Sequence, residues 1–164
     1  MVTKNWYAFF RSNTFKKVIE KSAVSLSGIE INSGYMTAFP EHMFFRHTSA
    51  TFSNTNGICL GSGTTPATVN DYNLESRITS GLSASVAQSN DENNDPVYII
   101  AITNTSNEAI TIAEVGMIGQ LYQGTNNSST MVLYERTVLD TPITIEAGGI
   151  GQVTYTIRMN YPTA

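Results

Sequence analysis

The chain has 164 residues, enough for one hydrophobic core, and its 41% hydrophobic content argues against disorder. Only 13% of residues are charged, about half the usual share, while 16 Ser, 21 Thr and 15 Asn supply the polar surface. The net charge of −4 divides into +4 over residues 1–21 and −8 over the rest, an imbalance that argues for a basic arm on an acidic body; nucleic-acid binding is the other reading of such an arm, against which five cations among aromatics make only a small patch.

Residues 1–21 hold all four lysines, Arg11 and a cluster of aromatics. Trp6, Phe9 and Phe10 have i, i+3, i+4 spacing and Thr3 or Asn5 can cap, so the segment is predicted as a short helix or an extended arm. Val24 and Leu26 alternate before the phase shifts at Gly28, which predicts a bulge. Met43 to Phe52 is a further candidate strand, and Ile58-Cys59-Leu60 is a short apolar run.

Residues 61–76 form the longest non-periodic stretch, in which Thr68-x-x-Asp71 resembles a capping box before a brief helical turn burying Tyr72 and Leu74. Strand alternation resumes at Leu82, Ala84 and Val86, and the polar run 89–95 is a turn closed by Pro96. Val97 to Ile102 is apolar on both faces and reads as a central strand covered on both sides. Ile110 and Ile112 open another strand, with a second bulge expected near Glu114. Met131 to Val138, Ile143 to Ile145 and a tight turn at Ala147-Gly148-Gly149 follow. Val153, Tyr155, Ile157 and Met159 then alternate with Gln152, Thr154, Thr156 and Arg158, the period-two mark of a half-buried strand.

The whole predicts an all-β fold, an antiparallel β-sandwich of jelly-roll type: residues 1–21 are the basic aromatic arm and residues 22–164 one sandwich domain. A single Cys59 rules out an internal disulfide and reads as a small buried hydrophobe. No uninterrupted apolar stretch marks a signal peptide or a membrane span, so synthesis in a reducing cytoplasm is expected. Glu114 and Arg136 fall inside apolar strands, where each needs a partner in the other or in backbone.

Signals for chemistry are weak. Asp91-Glu-Asn93-Asn-Asp95 opens like a calcium loop, but Pro96 stands where Gly is required and Ile102 where a bidentate Glu is required. His42 and His47 lack a third metal ligand, and Gly57-x-x-x-Gly61-x-Gly63 lacks the Lys-Ser/Thr end of a phosphate loop and reads as a turn. Glu30 and Glu41 are carboxylates able in principle to cleave a glycan, without spacing to support it. No cofactor, no metal and no enzymatic activity are expected.

The run GSGTTPATVNDYNLESRI at 61–78, with ITNTSNEAITIAEVGM, LYERTVLDTPITIEAGG and VTYTIRMNYP after it, resembles small virion proteins of tailed bacteriophages and prophages. The shared pattern is G-x-G-T-T-P…D-x-x-L-x-S, then I-x-E-x-G, then R-x-V, over about residues 57–162. The resemblance implies a structural component of a particle, as capsid decoration or head fibre or as a tail or baseplate part, made in the bacterial host cytoplasm. Self-association, with a trimer as first expectation, and docking on other virion proteins would be its function, without nucleic-acid or membrane binding. Trp6, Tyr7, Phe9, Phe10, Lys16 and Lys17 are the expected partner-binding arm, because aromatic residues dominate interfaces. The alternative is a carbohydrate-binding receptor module that stacks a host-surface glycan on Tyr35, Tyr72 or Tyr122.

Overall fold

The structure is a computed structural model that describes residues 1–8, 19–33, 57–93, 95–122 and 129–156. Eight strands carry the fold: β1 (Ile19–Val24), β2 (Glu30–Ser33), β3 (Gly57–Gly61), β4 (Leu82–Asn90), β5 (Pro96–Asn104), β6 (Ile110–Tyr122), β7 (Ser129–Ile145) and β8 (Ile150–Thr156). β1 pairs with β2, β3 with β6, and β5 with both β4 and β8, each time antiparallel, and the fold is all-β. Residues 4–8 are helical. The described residues gather into two compact units, one of residues 1–8, 19–33, 57–79, 111–122 and 129–143, the other of residues 80–93, 95–110 and 144–156.

In the first unit the sheet order is β3-β6-β7, beside a two-stranded sheet of β1 and β2. β6 is buried on both faces: Ile112, Ala113, Glu114, Val115, Met117 and Ile118 are each at most 1% exposed. Its pairing with β3 runs without a shift from Glu114 to Ile118. The phase change at Glu114 that predicted a bulge is therefore the signature of a strand covered on both sides. Gly28 likewise marks a turn between β1 and β2 at φ 81°, where its N–H donates to Ser25 O (2.9 Å). The Gly57-Gly61 run is strand β3 rather than a turn. Cys59 packs with Leu74, Ile118 and Leu133, and burial pushes its thiol up to about 11 against a smaller opposing pull from Arg77.

The start of the chain is sewn into this unit. Val2 bridges Glu135, the Thr3 N–H donates to Tyr134 O (2.9 Å) and the Arg136 N–H to Met1 O (3.1 Å), which adds a short rung beside β7. Asn5, predicted as a possible cap, is fully buried within the helix. Its Nδ2 donates to Val24 O and Leu133 O (both 2.9 Å) and its Oδ1 accepts the Val24 N–H (2.6 Å).

In the second unit the order is β4-β5-β8. β4 and β5 pair through nine consecutive positions without a shift. One face buries Ala84, Tyr98, Ile100, Ile102 and Val153. The opposite face does not bear out the expectation of a strand covered on both sides: Ala101 and Thr103 are exposed and Val97 and Ile99 only half-buried. Their cross-strand neighbours explain this, since Ser83, Ser85, Gln152 and Thr154 make that face polar. Buried Asn104 organises the turns at one end, donating to Glu108 O (2.7 Å) and Ile145 O (2.8 Å) and accepting the Ser106 N–H (2.9 Å). The Gly148 turn forms as the sequence predicts, at φ 71°. The strands Met131 to Val138 and Ile143 to Ile145 are one continuous strand, β7.

Candidate functional site

The densest group of ionisable side chains lies in the first unit, where the segment 61–78 crosses β6 and β7. Gly61 and Gly63 let this segment approach closely: a Cβ on Gly61 would meet Glu114 Cγ at 2.7 Å, and one on Gly63 would meet Glu75 Cβ at 2.5 Å. The segment is pinned at its ends as well, with the Ser62 N–H donating to Ser76 O (2.8 Å) and the Ile78 N–H to Leu60 O (2.9 Å).

Glu114 is fully buried, and its carboxylate has four donors. Oε1 accepts the N–H of Gly63 (3.2 Å) and of Ser76 (2.8 Å); Oε2 accepts the N–H of Glu75 (3.1 Å) and Arg136 Nε (2.6 Å). Arg136, also buried, spreads its remaining donors over the loop. Nη1 reaches Asp71 Oδ2 (2.9 Å), and Nη2 reaches Thr65 O (3.0 Å) and Glu75 Oε2 (3.3 Å). The sequence predicted that Glu114 and Arg136 pair with each other or with backbone, and each does both. It missed Asp71 and Glu75 as further partners, although their spacing of four on one loop, facing a buried Arg, was the available signal. The three motif segments thus converge: Asp71, Leu74 and Ser76 from the first, Glu114 and Gly116 from the second, Arg136 from the third. Gly116 belongs there for packing, since a Cβ would meet Leu74 Cδ1 at 2.6 Å.

Thr68 and Asp71 embrace as the capping pattern predicts, the Thr68 N–H and hydroxyl donating to Asp71 at 2.9 and 2.8 Å. No helix follows; residues 69 and 70 form a turn, Leu74 is buried, and Tyr72 is 45% exposed rather than covered. Tyr72, Asp71 and Glu75, with Leu26, Pro66 and Asn70 among their neighbours, line an open cavity of about 560 Å³.

The carboxyls of Asp71 and Glu75 are both held below their ordinary values. At Asp71, burial raises the pKa, but bonds from Thr68 and Arg136 outweigh it and leave the group below its ordinary value near 3.8. Glu75 is lowered from 4.5, first by the Thr65 hydroxyl and N–H and then by Arg136. For Arg136, burial alone would lower the pKa, and its bonds to Asp71 and Glu114 turn the shift upward. The unfolded chain therefore takes up protons on Asp71 and Glu75 before the folded chain does. The stabilisation is whole above about pH 5 and is lost as pH falls through the lowered values. The urea midpoint is expected to fall steadily between about pH 5 and pH 3, with a smaller fall in Asp71→Asn. Equal slopes in the two proteins would refute the linkage.

Of the expected partner-binding arm, Trp6 is half-buried and packs edge-on against Tyr134 (centroids 6.2 Å apart, planes at 81°), and Tyr7 is 55% exposed. Phe9, Phe10, Lys16 and Lys17 lie outside the described residues, as do Tyr35, His42, His47, Glu41 and the side chain of Tyr122. Asp91 turns back into its own hairpin, its Oδ1 accepting the N–H of Asn93 and of Asp95 (both 2.9 Å). Among the described residues no group of three or more His, Cys, Asp or Glu is placed to hold a metal ion. Compared with family models, curated proteins and solved structures, the chain matches none.

Proposed function

We propose that the chain is a non-enzymatic structural protein of a tailed-phage particle, with a fold of the sandwich type, acting by self-association and by docking on neighbouring virion proteins. One observation carries the assembly reading. β4, β5 and β8 contain no charged residue, and most of one face of their sheet is open: Ser83, Ser85, Ala87, Ala101, Thr103, Gln152 and Thr154 are exposed, Val97 and Ile99 half-buried, and Ile150 is 79% exposed at the rim. Such a face loses its water at far less cost than one carrying Lys and Glu. Among the described residues β4 and β8 pair only with β5, and neither edge carries the charges or Pro that natural sheets use to refuse partners. The phage-protein reading rests on the resemblance of the three motif segments, whose Gly61, Gly63, Asp71, Leu74, Ser76, Glu114, Gly116 and Arg136 meet in the first unit.

The docking role of the arm falls, among its described aromatics, mainly on exposed Tyr7. Sedimentation of the purified chain tests self-association, with Ala101→Glu placing a charge on the open face. An oligomer, a trimer first, is expected for the parent and a monomer for the variant. Copy number in purified particles then separates capsid decoration (many) from a tail or baseplate place (few). A parent chain that is monomeric and absent from particles overturns the reading.

A further inference from the structure

The cavity beside the charge network has features that assembly does not use. Tyr72 stands at its side, and the outer end of its ring lies over Gly28, where a Cβ would meet Cζ at 3.3 Å. The ring is thereby braced and still 45% exposed. The loop carrying it is fixed by the two Thr68–Asp71 bonds and by Arg136, so ordering it on binding costs little. The Tyr72 hydroxyl and the Asn70 amide have no hydrogen-bond partner among the described residues. Asp71 and Glu75 add carboxylate acceptors at 19% and 41% side-chain exposure. At about 560 Å³ the space is of ligand size.

A braced aromatic ring beside amide and carboxylate groups matches a sugar, which offers a patch of C–H bonds and a rim of hydroxyls. We propose that this cavity binds a neutral saccharide, with Tyr72 as the stacking ring and Asn70, Asp71 and Glu75 as partners for its hydroxyls. Charge selects the class: two carboxylates outnumber one guanidinium in the lining, and Arg136 is 4% exposed with each of its three nitrogens already bonded, three of those four bonds to carboxylates, so the lining favours a neutral sugar over an acidic one. Both carboxyls are held below their ordinary values, which suits them to accept bonds from sugar hydroxyls rather than to give up a proton.

Saturation-transfer NMR on the full chain tests this with glucose, galactose, mannose and N-acetylglucosamine, their di- and trisaccharides, and glucuronate and sialic acid. Transfer to at least one neutral sugar is expected, falling tenfold or more in Tyr72→Ala, surviving in Tyr72→Trp and weakening in Asn70→Ala. A free monosaccharide ligand would show transfer at one unit, and a surface polysaccharide only from two or three. Transfer to no neutral sugar, a preference for the acidic ones, or a signal unchanged in both Tyr72→Ala and Asn70→Ala overturns the proposal. Ala101 does not line this cavity, so the sedimentation test and this one fail independently.

Discussion

Arg136→Leu is expected to destabilise the first unit by about 3–5 kcal/mol, the usual cost of leaving a buried charge without its partner. That is a large part of the roughly 5–15 kcal/mol that holds a domain together. The loss arises because Glu114 is fully buried and Arg136 Nε at 2.6 Å is its one cationic contact among the described residues. Urea unfolding of the parent, Arg136→Leu, Glu114→Leu and the double variant separates two accounts. Were the pair an isolated ion pair, replacing both members by Leu would restore stability, because the desolvation of both charges is avoided. Glu114 also accepts the N–H groups of Gly63, Glu75 and Ser76, and each orphaned donor costs about 1–3 kcal/mol. The double variant is therefore expected to stay well below the parent. A double variant as stable as the parent would show that the loop does not depend on the carboxylate.

Asn5→Ala is the second large effect, at about 2–4 kcal/mol. Three bonds disappear, but Leu133 O keeps the Thr3 hydroxyl at 2.6 Å, so the lasting damage falls on the N–H and C=O of Val24. Thermal unfolding measures it, and a shift within error of the parent would count against the weave. Deleting residues 1–8 removes these bonds together with the rung beside β7 and is expected to leave an unfolded first unit. A deletion that stays folded would return residues 1–8 to the role of a detachable arm.

The β-strands were legible because alternation reports a strand whatever surrounds it, and β4, β6, β7 and β8 all began close to where the pattern placed them. Glu114 and Arg136 were legible as a pair for a related reason: two charges inside apolar strands have few other ways to be stable. What surrounds a strand was harder to read. Ile99 and Val97 made β5 look covered on both sides, and only the Ser, Thr and Gln of the strands beside it reveal that one side is bare. The register that makes them neighbours is not written in any one segment. Thr3 and Asn5 were read as local caps because that is the commonest use of such residues near a helix start. Their true partners lie as far as 131 residues away, beyond the reach of any local pattern.

That span has a consequence for how the molecule comes into being. Residues 1–5 close onto residues 133–136, and a closure of this length carries an entropy cost whose length-dependent part is about 4 kcal/mol. Until the ribosome has delivered β7, the opening residues have only Val24 and Val69 to bond and lack their rung, and β6 waits with much of its apolar surface in water. Such a chain matures late and slowly, and a nascent copy would be prone to meet its siblings before it is finished.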